Sequence, residues 1–174
     1  DAALAATAYA DAAVAAASAV KAGQTSKSVE SPLSRWTYDT SRDEVRNAEI
    51  KTANLLSDNQ IQLSAPYDGG TKAQILIRRH PEYGVDVMIK ASPSQIICDS
   101  YDGCSIDINI DGKTQKLRML KPADYDSELL FVSNGPSLVR KLKVSKKVVL
   151  ELPFYSNGNG QFQFTTLGLE WDQK

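Results

Sequence analysis

SIDINIDGKTQKLRMLK, residues 105–121, decides the fold. Ile106, Ile108 and Ile110 alternate with Asp107, Asn109 and Asp111. A period of two puts the three isoleucines on one face of a strand. Asp111-Gly112 separates this run from residues 113–121, and Asp-Gly between two alternating runs is a strong short-range hairpin signal. Just upstream, residues 95–98 (QIIC) are expected to pair with residues 105–111. The intervening DSYDG, residues 99–103, is turn-forming and separates Cys98 from Cys104. Such a turn can bring the two Cα atoms to the roughly 5.5 Å that a disulfide needs.

A Cys98–Cys104 disulfide closing so short a loop would stabilise by about 2 kcal/mol in the chain-entropy model. It would persist in secreted or periplasmic space and rarely in cytosol. The other reading is a pair of reduced core thiols. The chain has one histidine and no second cysteine pair, which argues against zinc. The spacing is also wrong for Cys-x-x-Cys redox chemistry.

Working outward, the body reads as strands. WTYDT (36–40) is a short aromatic strand. Residues 47–56 follow as a poorly alternating strand, with a helix over 41–56 as the competing assignment. In 60–65, Ile61 and Leu63 are expected to face inward. PYDGG (66–70) is a loop. Residues 73–80 and 85–91 form a hairpin around PEYG, with Val85, Val87 and Ile89 on one face and Asp86, Met88 and Lys90 on the other. Residues 128–133 are another apolar strand. Gly135-Pro136-Ser137 opens a helix over 137–146, with Leu138, Val139 and Leu142 toward the core. Residues 148–155 bury Val148, Leu150, Leu152 and Phe154. SNGNG (156–160) is a hairpin loop, 161–167 turns Phe162 and Phe164 inward, and 168–171 closes the domain. Trp36, Tyr38, Phe162, Phe164 and Trp171 are expected to pack where the first and last strands meet. Nine or ten short strands with scant helix predict a mainly β body, an antiparallel β-sandwich or flattened barrel with one short helix.

Residues 1–23 differ in kind. Alanine dominates them, with Leu4, Tyr9, Val14 and Val20 as a thin apolar stripe, and an Ala-rich helix is expected there against a frayed tail. Residues 24–35, rich in Ser, Thr and Lys, read as a linker, and 36–174 as the β-sandwich domain. Helix and linker would suit a stalk left after removal of a signal peptide. A lipidated cysteine just ahead of Asp1 would then make the protein a membrane-anchored lipoprotein.

At 174 residues, 42% apolar and 24% charged, the chain is long enough for one core. A net charge of −1 removes the global signature of a nucleic-acid binder, and no run approaches the ~18 apolar residues of a membrane span. Asp107-x-Asn109-x-Asp111-Gly112 matches the first half of a calcium loop. Its twelfth position, however, is Arg118, where the ion needs a bidentate carboxylate. His80, the single histidine, sits between Arg78-Arg79 and Pro81, and no Gly-x-Ser-x-Gly elbow accompanies it. No carboxylate pair is selected by spacing. No catalytic residue, metal or cofactor is expected. Arg140, Lys141, Lys143, Lys146 and Lys147 form a basic cluster, read either as an interaction patch or as the wet face of a helix.

A run of short motifs carries a resemblance. In order they are Trp36-x-Tyr38, Pro66-Tyr67-x-Gly69-Gly70, Ile77-Arg78 or Leu76-x-x-Arg79, Cys98 and Cys104 before an alternating strand, and Phe164…Gly168-Leu169-x-Trp171. Over residues 36–171 the chain resembles a group of small exported bacterial proteins. It is also similar to accessory proteins of type VI secretion and to the invasion-associated locus B family. The resemblance implies an envelope location and a binding or accessory role, and it supplies no catalytic residues. The expectation is an exported, periplasmic binding module acting on a protein partner of the cell envelope. An inhibitor or immunity-type protein that blocks an enzyme or secreted effector is the alternative. Membrane proximity through the N-terminal segment is expected, and nucleic acid is not.

Overall fold

The computed structural model describes residues 34–98 and 102–172, which belong to one compact unit. The expected N-terminal helix and nearly all of the linker lie outside the described residues. The elements are β1 Thr37–Asp43, β2 Ala48–Leu56, β3 Lys72–His80, β4 Gly84–Ser92, β5 Cys104–Ile110, β6 Lys113–Leu120, β7 Leu129–Val132, α1 Gly135–Leu142, β8 Lys147–Phe154 and β9 Gly158–Thr165. All nine strands lie in one antiparallel sheet, in the order β1-β2-β3-β4-β7-β6-β5-β8-β9. The body is mainly β with a single short helix among the described residues, as the alternation predicts.

The sheet curls on itself so that its inward faces share one core. Ala53 and Leu55 of β2, Ile75 and Ile77 of β3, Val87 and Ile89 of β4, Ile106 and Ile108 of β5, Val148, Leu150 and Leu152 of β8, and Phe162 and Phe164 of β9 are all buried in it. β8 shows why: every second residue from Val148 to Phe154 is buried, the pattern of a strand with one wet face. Phe154 and Phe162 meet edge-on with centroids 6.0 Å apart.

Two devices close the structure. First, β7 is only four residues long, pairing with β4 through Met88–Lys90 and with β6 through Met119 and Leu120. Beyond it the sheet parts, and α1 packs against β4 and β7. Asn134 caps this helix by accepting from Ser137 N, Pro136 sits in its first turn, and Leu138, Val139 and Leu142 enter the core. Gly135 lets the helix begin hard against β4: a Cβ there would lie 3.0 Å from Val87 N. Second, the chain after β2 runs over the free edge of β9. Asp58 N donates to Gln163 O, while the Asn59 amide donates to Gln161 O and accepts from Gln163 N. The opposite edge, β1, is exposed nearly throughout and carries Asp39, Arg42 and Asp43, charges that discourage a further strand from adding.

The hairpin expected over residues 105–121 is present. β5 pairs with β6 from Ile110↔Lys113 to Cys104↔Met119. Asp111 and Gly112 both take positive φ, 47° and 87°, as a type I′ turn requires. Several local expectations are corrected. Residues 95–98 do not pair with β5; they run beside the end of β8, with Ile96 bridging Phe154 and Ile97 N donating to Pro153 O. Residues 60–65 contribute only the single bridge Ile61↔Thr71. The helix stops at Leu142, because Ser145 is buried and turns the chain back by donating to Leu142 O. Met88, grouped with Asp86 and Lys90, is buried too, opposite Phe131 on the outer face.

Candidate functional site

Cys98 and Cys104 form a disulfide, with Cα atoms 5.3 Å apart. It ties the segment beside β8 to the first residue of β5, and Cys98 is buried. Directly before Cys98, residues 95–97 form one wall of a cavity of about 400 Å³. The wall is held on both sides: Ile96 N donates to Ser127 O at 2.8 Å, and Tyr155 N to Gln95 O at 3.0 Å. Ile96 and Leu130 are its buried apolar lining. Lys121 and Asp126 supply charge, and Gln95 is oriented by the Tyr67 hydroxyl, which donates to its Oε1 at 3.2 Å.

Two tyrosines stand at this cavity with their rings in water. Tyr155 is 57% exposed and Tyr125 is 82% exposed. Tyr125 has φ +60°, a left-handed conformation that costs a bulky side chain about 1 kcal/mol or more. Its N–H donates to Pro122 O, so the turn fixes the backbone, and the residue stays mostly in water. The sequence reading missed both residues. Tyr155 appears there only as a strand end, and Tyr125 lies in the loop sequence PADYDSE, where no periodicity operates.

The other candidates are not gathered into a site. Asp107 pairs with Lys116 at 2.8 Å, Asn109 Oδ1 accepts from Gly112 N, and the Asp111 carboxylate accepts from the N–H groups of Lys146 and Lys147. The half-match to a calcium loop is therefore a hairpin with its oxygens engaged. Arg118 donates to Asp102 O. Among the described residues no group of three His, Cys, Asp or Glu side chains is placed to hold a metal ion. His80 stacks on Tyr83 with centroids 4.6 Å apart, accepts from Glu82 N, and lies 3.9 Å from Asp43. Asp43 is held below the usual carboxylate range by the Arg46 N–H and then by the Arg46 guanidinium, which also pairs with Glu82. This corner is an ion-paired join between the β1–β2 and β3–β4 turns.

The basic residues lie on α1, the loop to β8 and the first position of β8, all exposed. Lys141 Nζ donates to Gln115 Oε1 and Lys143 Nζ to Trp171 O. Among the described residues none of Arg140, Lys141, Lys143, Lys146 and Lys147 forms an ion pair. Trp36 is buried at the closing seam and its Nε1 donates to Thr166 O; Tyr38, expected in the same packing, is instead 47% exposed. No helix among the described residues is long and apolar enough to cross a membrane. No family model, no curated protein and no solved structure matches this chain.

Proposed function

We propose that the protein is an exported binding module of the bacterial envelope that grips a protein partner at the cleft between Tyr125 and Tyr155. The observation that carries this reading is Tyr125: a residue 82% exposed, on a left-handed backbone, beside a second exposed tyrosine and a cavity. Strain and apolar exposure at one residue, without any packing gained, are the marks of a group presented to something else. Tyrosine suits the role, offering a large contact area with few rotors and a hydroxyl that stays hydrogen-bonded. The disulfide behind the cleft supports an oxidising compartment.

The test uses the full chain as bait in an envelope extract, with captured proteins identified by mass spectrometry. Proteins held by the wild type should be lost when Tyr125→Ala and Tyr155→Ala are combined, with the melting curve little changed. Identical capture by the two baits would end this assignment. Should the captured protein be an enzyme that loses turnover on binding, the module is an inhibitor.

A further inference from the structure

We propose that the face formed by the end of α1, the loop to β8 and the tip of the β5–β6 hairpin docks on an anionic lipid bilayer, with Val144 entering the interface and the surrounding cations meeting phosphate headgroups. This does not rest on the tyrosine cleft.

Charge is strongly segregated. Between Gly135 and Lys147 there are five cations and no carboxylate, so the rest of a chain that is −1 overall carries −6. Lys113 at the hairpin tip adds a sixth cation: it lines, with Lys141 and Val144, a cavity of about 470 Å³ between helix and hairpin. Asp111, a carboxylate on this face, is engaged by the N–H groups of Lys146 and Lys147 at 3.0 and 2.9 Å. It is thereby turned to holding the loop.

Val144 is 82% exposed and lines the same cavity as Lys113 and Lys141. Its exposure is imposed by the fold. Leu142 on one side is fully buried, and Ser145 on the other is buried with its hydroxyl 2.7 Å from that of Thr166. The backbone between them is fixed by Val144 N to Lys141 O and Ser145 N to Leu142 O. A tight turn in water ordinarily takes Asn, Gly or Ser. A branched aliphatic held outward among lysines that form no ion pair with the described residues matches the chemistry of a bilayer interface, where apolar insertion and attraction to anionic headgroups act together. An acidic protein surface would meet the cations but leave Val144 without a role.

The experiment is sedimentation of the full chain with vesicles of phosphatidylglycerol and phosphatidylcholine, and with phosphatidylcholine alone. Binding is expected only to the anionic vesicles and should fall as salt rises. Lys146→Gln with Lys147→Gln should weaken it about 25-fold, at roughly 5-fold per cation. Val144→Ser should weaken it at least 5-fold, while binding to soluble polyglutamate is unchanged. A Val144→Trp variant should shift its emission to the blue on anionic vesicles. Equal sedimentation with both lipids, or wild-type affinity in Val144→Ser, would overturn the proposal. So would an unshifted Trp emission, or binding to polyglutamate without binding to vesicles. Val144 is exposed, so these variants retain the fold, and their melting curves check it.

Discussion

At Tyr125 stability and presentation of the ring pull in opposite directions. The backbone there is left-handed, which asparagine tolerates and tyrosine does not. Replacing the ring removes no buried contact, because 82% of the residue is in water. Tyr125→Asn is therefore expected to raise stability by about 0.5–1 kcal/mol, since it removes strain without loosening the unfolded chain as glycine would. The same substitution should reduce partner capture. Urea denaturation of wild type and variant measures the first effect. A destabilised Tyr125→Asn would mean that the ring makes a contact holding the loop, and the argument from strain would fall. Asp111 shows the opposite case at the same scale. It also has positive φ, but it is an Asp in a type I′ turn and its carboxylate accepts from two N–H groups. Its conformation is explained by local structure alone.

At the scale of elements, the edge of β9 shows how a side chain substitutes for a strand. Asn59 donates to Gln161 O at 2.9 Å and accepts from Gln163 N at 2.8 Å, the paired bonds a neighbouring backbone would make. Asp58 accepts from the Thr165 hydroxyl and pairs with Arg35, extending the cover. Asn59→Ala should cost about 1–2 kcal/mol and speed amide exchange at Gln163 in particular. Exchange that rises evenly along β9 would show that the edge is sealed by Asp58 N instead. Which elements were legible follows from the same physics. Strands with one wet face, such as β5 and β8, announce themselves by alternation, and Asp111-Gly112 announces its own turn. Residues 95–98 carry no partner information: QIIC is apolar on consecutive positions, so its pairing is set by tertiary packing against β8. The loop of 156–160 also misleads, since Gly158 to Gly160 already belong to β9. There Gly160 makes room for Ile61 and Phe154, which a Cβ would overlap. The disulfide was legible from spacing. The tyrosine cleft was not, because it joins residues 95–97, 121–130 and 155 through loops in which composition alone says little.

For the whole molecule, the seam between the first and last strands holds the curled sheet closed. Trp36 Nε1 donates to Thr166 O at 2.9 Å, and the Tyr38 hydroxyl accepts from Glu170 N at 2.8 Å and reaches Gly168 O at 3.5 Å. Burial against this seam raises the Tyr38 hydroxyl above the ordinary tyrosine value of 10.0, and the nearby Glu170 charge adds to it. The bond from Glu170 N acts the other way without reversing the shift. A phenol whose folded-state value is raised favours the fold while it is neutral. Its contribution is complete below about pH 10 and is lost as pH rises past the unfolded-state value through the folded one. The hydroxyl would then become an anion facing Glu170 and could no longer donate to Gly168 O. Denaturant unfolding between pH 8 and 11 should therefore show the wild type losing stability more steeply than Tyr38→Phe. At neutral pH the phenylalanine variant should be the weaker by about 0.5–1 kcal/mol, for want of the hydrogen bonds. The two curves should converge as the pH climbs. Curves that stay parallel would mean that the seam is held by Trp36 and the buried Leu169 and Trp171 alone, with Tyr38 lying on it as a passenger.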